Sequence, residues 1–284
     1  MKVAAVILNY NSLNDTFNCV AQLQKQTGVE LFVIVVDNQS SNESEACLLR
    51  RFCEGGNCHF ISAECNRGYN AGNNLGLRYA VSNGYQYVLI ANPDMVFPQV
   101  NYVSTLVQAM EKDKDVVVAG SDIIDAAGYH QNPIAFFSEK FRDNFLWIRN
   151  LFVKDPLVKL QWNSNPGHTT YCSILNGCCL LLRSDFLMQI GFFDERIFLF
   201  GEERILGKQV EMLGKKMLYE GHCQAIHNHK RSKEGSQITR FGYLKQSEQT
   251  FVRIYSGYSF WKKWLLLAGV QLKYFLLHLK YWNH

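Results

Sequence analysis

Short, unbroken apolar runs alternate with segments of helical period through residues 1–120, and this alternation limits the fold more than any other feature. Val3–Leu8 (VAAVIL), Leu31–Val36 (LFVIVV), His59–Ser62, Tyr87–Ala91 (YVLIA) and Val116–Ala119 read as strands. Between them, Asn14–Gln26, Glu43–Phe52, Tyr69–Val81 and Pro98–Met110 place apolar residues three and four apart, as helices do. Continuous apolar strands are covered on both faces, and strands joined by helices pair in parallel. The expected fold class is α/β, a mainly parallel sheet with flanking helices. In such sheets ligands bind beyond the carboxyl ends of the strands. Three of these strands end there in polar clusters: Asn9-Tyr10-Asn11, Asp37-Asn38 and Asn92-Pro93-Asp94.

Hydrophobic residues make up 48% of the 284 and charged residues 19%, a globular and not a disordered composition. A net charge of +4 is too small for a nucleic-acid binder. The charge is unevenly placed. From Lys230 to His284 there are ten Lys and Arg against two Asp and Glu, which suits an anionic surface or ligand near that end. The nine cysteines are odd in number and include no C-x-x-C, as expected of buried thiols in a reducing cytosol. Cys53, Cys58, His59 and Cys65 have poor spacing for zinc. Met1–Leu8 is too short for a signal-peptide core and reads as a strand entering the core directly.

The alternation is lost over residues 126–170, where aromatic residues mix with Asn, His and Arg; an irregular, acceptor-facing wall is expected. Asn176–Arg183 returns to a strand-like run, Ser184–Ile190 and Glu202–Leu213 read as helices, and Lys216–Glu220 and Gln224–His227 as two short strands. Lys230–Gly242 is polar, basic and Gly/Ser-bearing, as a mobile loop would be. Trp261–Trp282 is apolar but is interrupted by Lys262, Lys263, Gln271, Lys273, His278 and Lys280, so it is no membrane span. At ~100° per residue those six fall in one half of the wheel. Trp264, Leu265, Ala268, Leu272, Phe275, Leu276 and Leu279 fill the other half. Such a helix suits a bilayer surface; it equally suits a core-packing terminal helix or a dimer contact.

Neither G-x-G-x-x-G nor a Walker motif follows the first strand, where Asn9-Tyr10-Asn11-Ser12 stands. A mononucleotide held by side chains fits that loop. Asp37 either accepts hydrogen bonds from a ribose or base, or caps the next helix. Gly68, Gly72 and Gly76, four apart, permit close packing of a helix on the sheet. Around them Asn66, Arg67, Asn70, Asn73 and Asn74 suit a phosphosugar or nucleotide edge. Asp94 is a strand-end carboxylate that can hold Mg²⁺ or Mn²⁺ against a diphosphate, or part of an Asn-Pro-Asp turn. Glu202 and Glu203 open a helix, where carboxylates are favoured, and either is placed to act as a general base. His227 and His229 follow a short strand and can complete a metal site or serve structurally.

In order, VILNYNS (6–12), VVDNQS (35–40), NRGYNAGNNLGL (66–77), ANPDMVF (91–97), NGCCLLLRSDFL (176–187), GFFDERIFLFGEE (191–203) and the segment 227–232 resemble the family 2 glycosyltransferases, the rhamnosyltransferase-like branch with the GT-A fold. The resemblance implies a Rossmann-like catalytic domain over 1–229, with a nucleotide-sugar half (1–120) and an acceptor half (121–229). A basic loop and connector (230–257) and a membrane-associating helix (258–284) follow. It implies inverting transfer of a sugar from a UDP- or dTDP-sugar to a hydroxyl of a lipid-linked oligosaccharide, in bacterial O-antigen or capsule synthesis at the inner face of the cell membrane.

By the same resemblance Asp37 holds the nucleoside, Asn9, Tyr10 and Asn11 stand beside it, and Asn66, Arg67 and Gly68 line the donor side. Asn92 replaces the first acid of a D-x-D motif and Asp94 supplies the last, binding Mg²⁺ or Mn²⁺, with His227 as a further ligand. Arg231, with neighbouring cations, faces the leaving phosphates. Glu203, beside Glu202, occupies the position of the base. The family's E-D-x-D pattern reads here Glu202-Glu203-Arg204-Ile205. The departure admits a catalytically impaired sugar-nucleotide-binding assembly subunit as an alternative; a nucleotidyltransferase is another.

Overall fold

The computed structural model describes residues 1–56, 58–148, 167–228 and 237–281. Strands are β1 (Lys2–Asn9), β2 (Glu30–Asp37), β3 (Cys58–Ser62), β4 (Tyr87–Ala91), β5 (Met95–Val96), β6 (Val116–Asp125), β7 (Thr169–Cys172), β8 (Cys179–Arg183) and β9 (Lys216–His227). Helices are α1 (Leu13–Leu23), α2 (Glu43–Glu54), α3 (Tyr69–Ser82), α4 (Tyr102–Glu111), α5 (Ser184–Ile190), α6 (Glu202–Met212), α7 (Gln237–Thr250) and α8 (Phe260–Tyr281).

One sheet runs β3-β2-β1-β4-β8-β6-β9-β5, with β7 added on β9. The pairs β3/β2, β2/β1 and β1/β4 are parallel, as the alternation requires. Beyond β4 the sheet is mixed: β8 is antiparallel to both β4 and β6, β6 and β9 are parallel, and β5 and β7 are antiparallel to β9. Both faces of the central strands are buried. Val3, Ala5 and Ile7 of β1 enter the core beneath α1, α2 and α4, while Ala4, Val6 and Leu8 enter the opposite one beneath α3, α5 and α6. The two-residue period of a strand divides one apolar run between two cores.

The glycines of α3 serve packing. A Cβ on Gly72 would lie 2.6 Å from Leu8 Cδ1, and one on Gly76 would lie 2.5 Å from Val6 Cγ1. The helix therefore rests directly on β1.

Several boundaries differ from expectation. α4 starts at Tyr102 and not at Pro98, because the preceding backbone is used elsewhere: the Phe97 N–H donates to Gln22 Oε1 and the Gln99 carbonyl accepts from Gln26 Nε2. The two strands expected over 216–227 are one strand whose register slips between Ser121/Glu220 and Asp122/Gln224. Residues 237–242, expected in a loop, begin α7. Contacts made further along hold that helix: Tyr243 stacks on Phe198 with ring centroids 4.5 Å apart, and Tyr274 donates to Glu248 at 3.0 Å. Residues 230–236, the first part of that expected loop, lie outside the described residues. No described helix is long and apolar enough to cross a membrane. Cys53 and Cys58 are buried, Cys65 is exposed, and among the described residues no group of three metal-ligating side chains gathers there.

Candidate active site

Register brings the polar tips together. Asn9 is level with Asp37, Asp37 with Ser62, and Ala91 with both Ile7 and Cys179. The residues after β1, β2 and β4 and those before β8 thus emerge at one edge of the sheet. β9 ends there too, since His227 pairs with Met95.

The first two loops are built on a buried carboxylate. Asp37 Oδ1 accepts from Asn9 Nδ2 at 2.8 Å and Ser40 Oγ at 2.7 Å, and its Oδ2 accepts the Ser40 N–H at 3.1 Å. Asn9 Oδ1 accepts from Thr16 at 2.7 Å, tying the cluster to α1. Asn11 adopts a left-handed φ of 53°, which Asn tolerates, and its Oδ1 accepts the Ser41 N–H at 2.9 Å. Tyr10 is exposed at the rim. Asp37 therefore acts within the fold as the fastener of both loops, and the surface beside it is made by Tyr10 and Asn11, with Asn38 buried behind them.

Next to it, Asn66 Oδ1 accepts from Asn38 Nδ2 at 3.1 Å and from the Gly68 N–H at 2.9 Å. Gly68 has φ 97°, and a Cβ there would lie 2.2 Å from the carbonyl oxygen of Phe198. The Tyr69 N–H donates to that same carbonyl at 2.8 Å. Arg67 pairs with Glu195 at 3.2 Å. The amides expected to serve a phosphosugar are occupied instead. Asn70 donates to the Asp194 carbonyl at 2.8 Å, Asn73 to the Tyr69 carbonyl at 3.0 Å, and Asn74 to the Phe193 carbonyl at 2.9 Å. With Gly68, Asn70 and Asn74 fasten the 193–203 segment, which leads into α6, while Asn73 bonds within α3.

Asp94 Oδ1 and His227 Nε2 stand 3.3 Å apart across the β5/β9 pair. Gln131 Oε1 lies 3.0 Å from His227 Nδ1. In the tautomer whose Nδ1–H donates to this amide oxygen, the Nε2 lone pair is available to a cation shared with Asp94. The donor set fits a hard divalent cation: one carboxylate and one imidazole nitrogen, at the separation of two adjacent ligands on an ion with bonds of ~2.1 Å. Two protein ligands suit an ion that keeps waters and takes phosphate oxygens from a bound substrate. Asn92 holds the turn; its Oδ1 is 3.1 Å from the Tyr69 hydroxyl, which also lies 2.9 Å from the Gly177 carbonyl.

Glu202 and Glu203 open α6 after Gly201, whose φ is 84°. A Cβ on Gly201 would lie 2.0 Å from Ser247 Oγ, so α7 presses on the start of this helix. Glu203 Oε1 accepts the Gly177 N–H at 3.3 Å. Glu202 Oε2 is sealed from solvent and has no hydrogen-bond partner among the described residues. Burial, reinforced by the Glu203 charge, pushes the Glu202 carboxyl up to about 8. Burial also raises Glu203, while the backbone N–H groups of Glu203, Gly177 and Gly201 hold it lower. Burial thus raises both carboxyls of this adjacent pair. Burial raises the Cys178 thiol well above its ordinary range, and the charges of Cys179, Asp94 and Glu203 raise it further.

The family profile of Glycosyl transferase family 2 matches residues 4–175. The chain belongs to this family. The hexosyltransferase Agl10 of low-salt glycan biosynthesis, from Haloferax volcanii, is 26% identical over 230 residues, 80% of this glycosyltransferase and 67% of that protein. The mannosyltransferase PcManGT from Pyrobaculum calidifontis, solved with GDP-Man and Mn²⁺, superposes with a TM-score of 0.60 at 17% identity over 95% of this chain and 69% of that one. Staphylococcus aureus TarS (residues 1–349), solved with UDP, superposes with a TM-score of 0.57 at 14% identity over 95% and 71%. These likenesses establish a GT-A fold for this glycosyltransferase.

In it, Asn9, Tyr10, Asn11, Asp37, Asn66, Arg67, Gly68, Asn92, Asp94, Glu202, Glu203 and His227 all lie along the strand edge or the segments fastened to it. Arg231 and His229 lie outside the described residues. Sequence reasoning passed over Tyr69 and Cys178, although both stand inside the motif stretches. It also passed over Gln131, which no motif marks. A cavity of about 510 Å³ lies along α6, lined by Phe136, Tyr171, Arg204, Lys208 and Phe251 among others, and is lined by none of Asp37, Asp94, Glu202 and Glu203.

Proposed function

We propose that this glycosyltransferase transfers a hexosyl or deoxyhexosyl group, with inversion, from a UDP- or dTDP-sugar to a hydroxyl of a lipid-linked oligosaccharide. The setting is the assembly of a bacterial surface polysaccharide such as O-antigen or capsule, on the cytoplasmic face of the membrane. The observation that carries the reading is the meeting of Asp94 with His227 at the strand edge, with Glu203 fastened to Gly177 in the loop that enters the neighbouring strand β8.

The departing group is a nucleoside diphosphate, which needs its negative charge balanced more than it needs a proton. Asp94 and His227 would hold Mg²⁺ or Mn²⁺, and the bound ion would supply that balance. The loops fastened by Asp37 and Asn66 would cradle the nucleoside and the donor sugar, and Arg231 would face the phosphates. Glu203 takes the acceptor hydroxyl proton as its oxygen bonds to the anomeric carbon. The bond from that carbon to the phosphate oxygen breaks, and its electron pair leaves with the nucleotide. A base whose pKa is raised toward neutrality is the more effective one. Burial and the Glu203 charge both favour the protonated form of Glu202, which limits the negative charge beside the base.

Ile205, in place of the family's third acid, is buried against Ile197 and Phe251. That position serves packing here, while Glu203 keeps its place at Gly177, which favours the active enzyme over the assembly subunit. The test incubates the protein with candidate nucleotide-sugars, Mg²⁺ or Mn²⁺ and a diphosphate-lipid acceptor. Metal-dependent release of nucleoside diphosphate with extension of the lipid supports the reading. Nucleotide binding without turnover supports the assembly subunit, and pyrophosphate release from a nucleoside triphosphate supports a nucleotidyltransferase.

A further inference from the structure

α8 turns its apolar face away from the protein. Leu266, Val270 and Tyr274, four apart, are at most 8% exposed, and this narrow stripe is its main seat on the rest of the chain. Lys273 and Tyr274 anchor the stripe by pairing with Glu248 of α7. On the opposite side, Trp261, Trp264, Leu265, Leu272, Phe275 and Leu279 are each between 47% and 75% exposed. Helices on globular domains bury the wide apolar stripe and expose the polar one; here the assignment is reversed. The exposure of that face excludes a core-packing role for it, and an exposed apolar patch of this kind marks an interaction site.

The charges around the face select its occupant. No acidic residue follows Glu248 in the sequence. Lys262 and Lys280 are exposed along one edge of the face, and Arg253 is exposed in the turn before the helix. Two copies of the chain joined through this face would bring lysine rims together. An anionic bilayer surface satisfies both features, with apolar side chains entering the acyl boundary, lysines among the phosphates, and tryptophans at the level of the headgroups. We propose that α8 is a lipid-docking helix that lies in the surface of an anionic membrane.

The docked helix is one element from the catalytic carboxylates. Glu248 holds α8, and its neighbour Ser247 touches Gly201, the residue before Glu202. Membrane docking would set the acceptor-facing edge at a fixed distance from lipid. That consequence rests on the sugar-transfer reading; the lipid contact does not.

The test uses the full chain without donor or acceptor, floated with vesicles of phosphatidylcholine alone or mixed with phosphatidylglycerol. Expected are co-flotation with the mixed vesicles, weaker binding to phosphatidylcholine, and a blue-shifted tryptophan emission. Trp264→Glu with Phe275→Glu should lower binding at least about tenfold, with an unchanged melting curve. Lys262→Glu with Lys280→Glu should remove the preference for phosphatidylglycerol. Wild-type protein that floats with neither vesicle, or a Trp264→Glu/Phe275→Glu variant that binds like wild type, overturns the proposal. So does a dimer broken by that variant in the absence of vesicle binding, which would assign the face to a second copy.

Discussion

Glu203 Oε1 stands 3.3 Å from the backbone nitrogen of Gly177, joining the first turn of α6 to the loop that enters β8. Because β8 is paired with β4, this bond aims the carboxylate at the strand edge that carries Asp94. Glu203→Gln keeps the shape and removes the proton acceptor. Turnover should fall by about 10²–10⁴ with donor KM unchanged, measured in steady state at saturating acceptor. Turnover equal to wild type would falsify the base assignment.

Burial raises the Glu203 carboxyl above its ordinary value. The base works ionised, so kcat/KM should rise with pH, and the midpoint of that rise should lie above the ~4.3 of a free glutamate. The profile is measured with and without Glu203→Gln, which should abolish the limb. A midpoint at or below the ordinary value would assign the limb to another group.

Glu202 titrates at about 8 in the folded chain against 4.5 for an ordinary glutamate. Its folded pKa is raised, so its contribution is complete below the unfolded value and is lost as pH rises toward the folded one. Stability should therefore decline between about pH 4.5 and 8 from this group, by at most about 1.4 kcal/mol per unit. Glu202→Gln should flatten that decline, so its midpoint in urea relative to wild type should improve with rising pH. Parallel curves for the two proteins would show that Glu202 is ionised when buried.

Asp94→Asn and His227→Ala should each weaken Mn²⁺-dependent donor binding, read by calorimetry with donor in the presence and absence of the ion. Gln131→Leu removes the partner of His227 Nδ1. It should cost about tenfold in ion affinity without touching nucleotide binding in the ion's absence. Full ion dependence in all three variants would place the metal elsewhere.

Gly68→Ala meets two obstacles, a φ of 97° and the Phe198 carbonyl 2.2 Å from the new carbon. It should destabilise by about 1–3 kcal/mol and loosen the segment leading to Glu202. The denaturation midpoint and kcat report the two effects. Gly84→Ala, where nothing lies within 4 Å, is the control for backbone strain alone.

The chain's local pattern was enough to reveal the first half of the fold. VAAVIL and LFVIVV are too apolar to be covered on one side only, and each is followed by a helical period, so a doubly covered parallel sheet follows from residues within a few positions of each other. The polar tips at Asn9, Asp37 and Asn92 were visible for the same reason. Tertiary structure alone decided what depends on distant pairing. The insertion of β8 between β4 and β6, the seating of His227 beside Asp94 through β5, and the role of Gln131 rest on registers that no local signal encodes. Asn70 and Asn74 read as ligand-binding amides until the 193–195 backbone is placed against them. The wheel of α8 defined an apolar half, but only its packing revealed that this half faces outward. Periodicity states which side chains share a face; which neighbour covers that face is set by the free energy of the whole assembly.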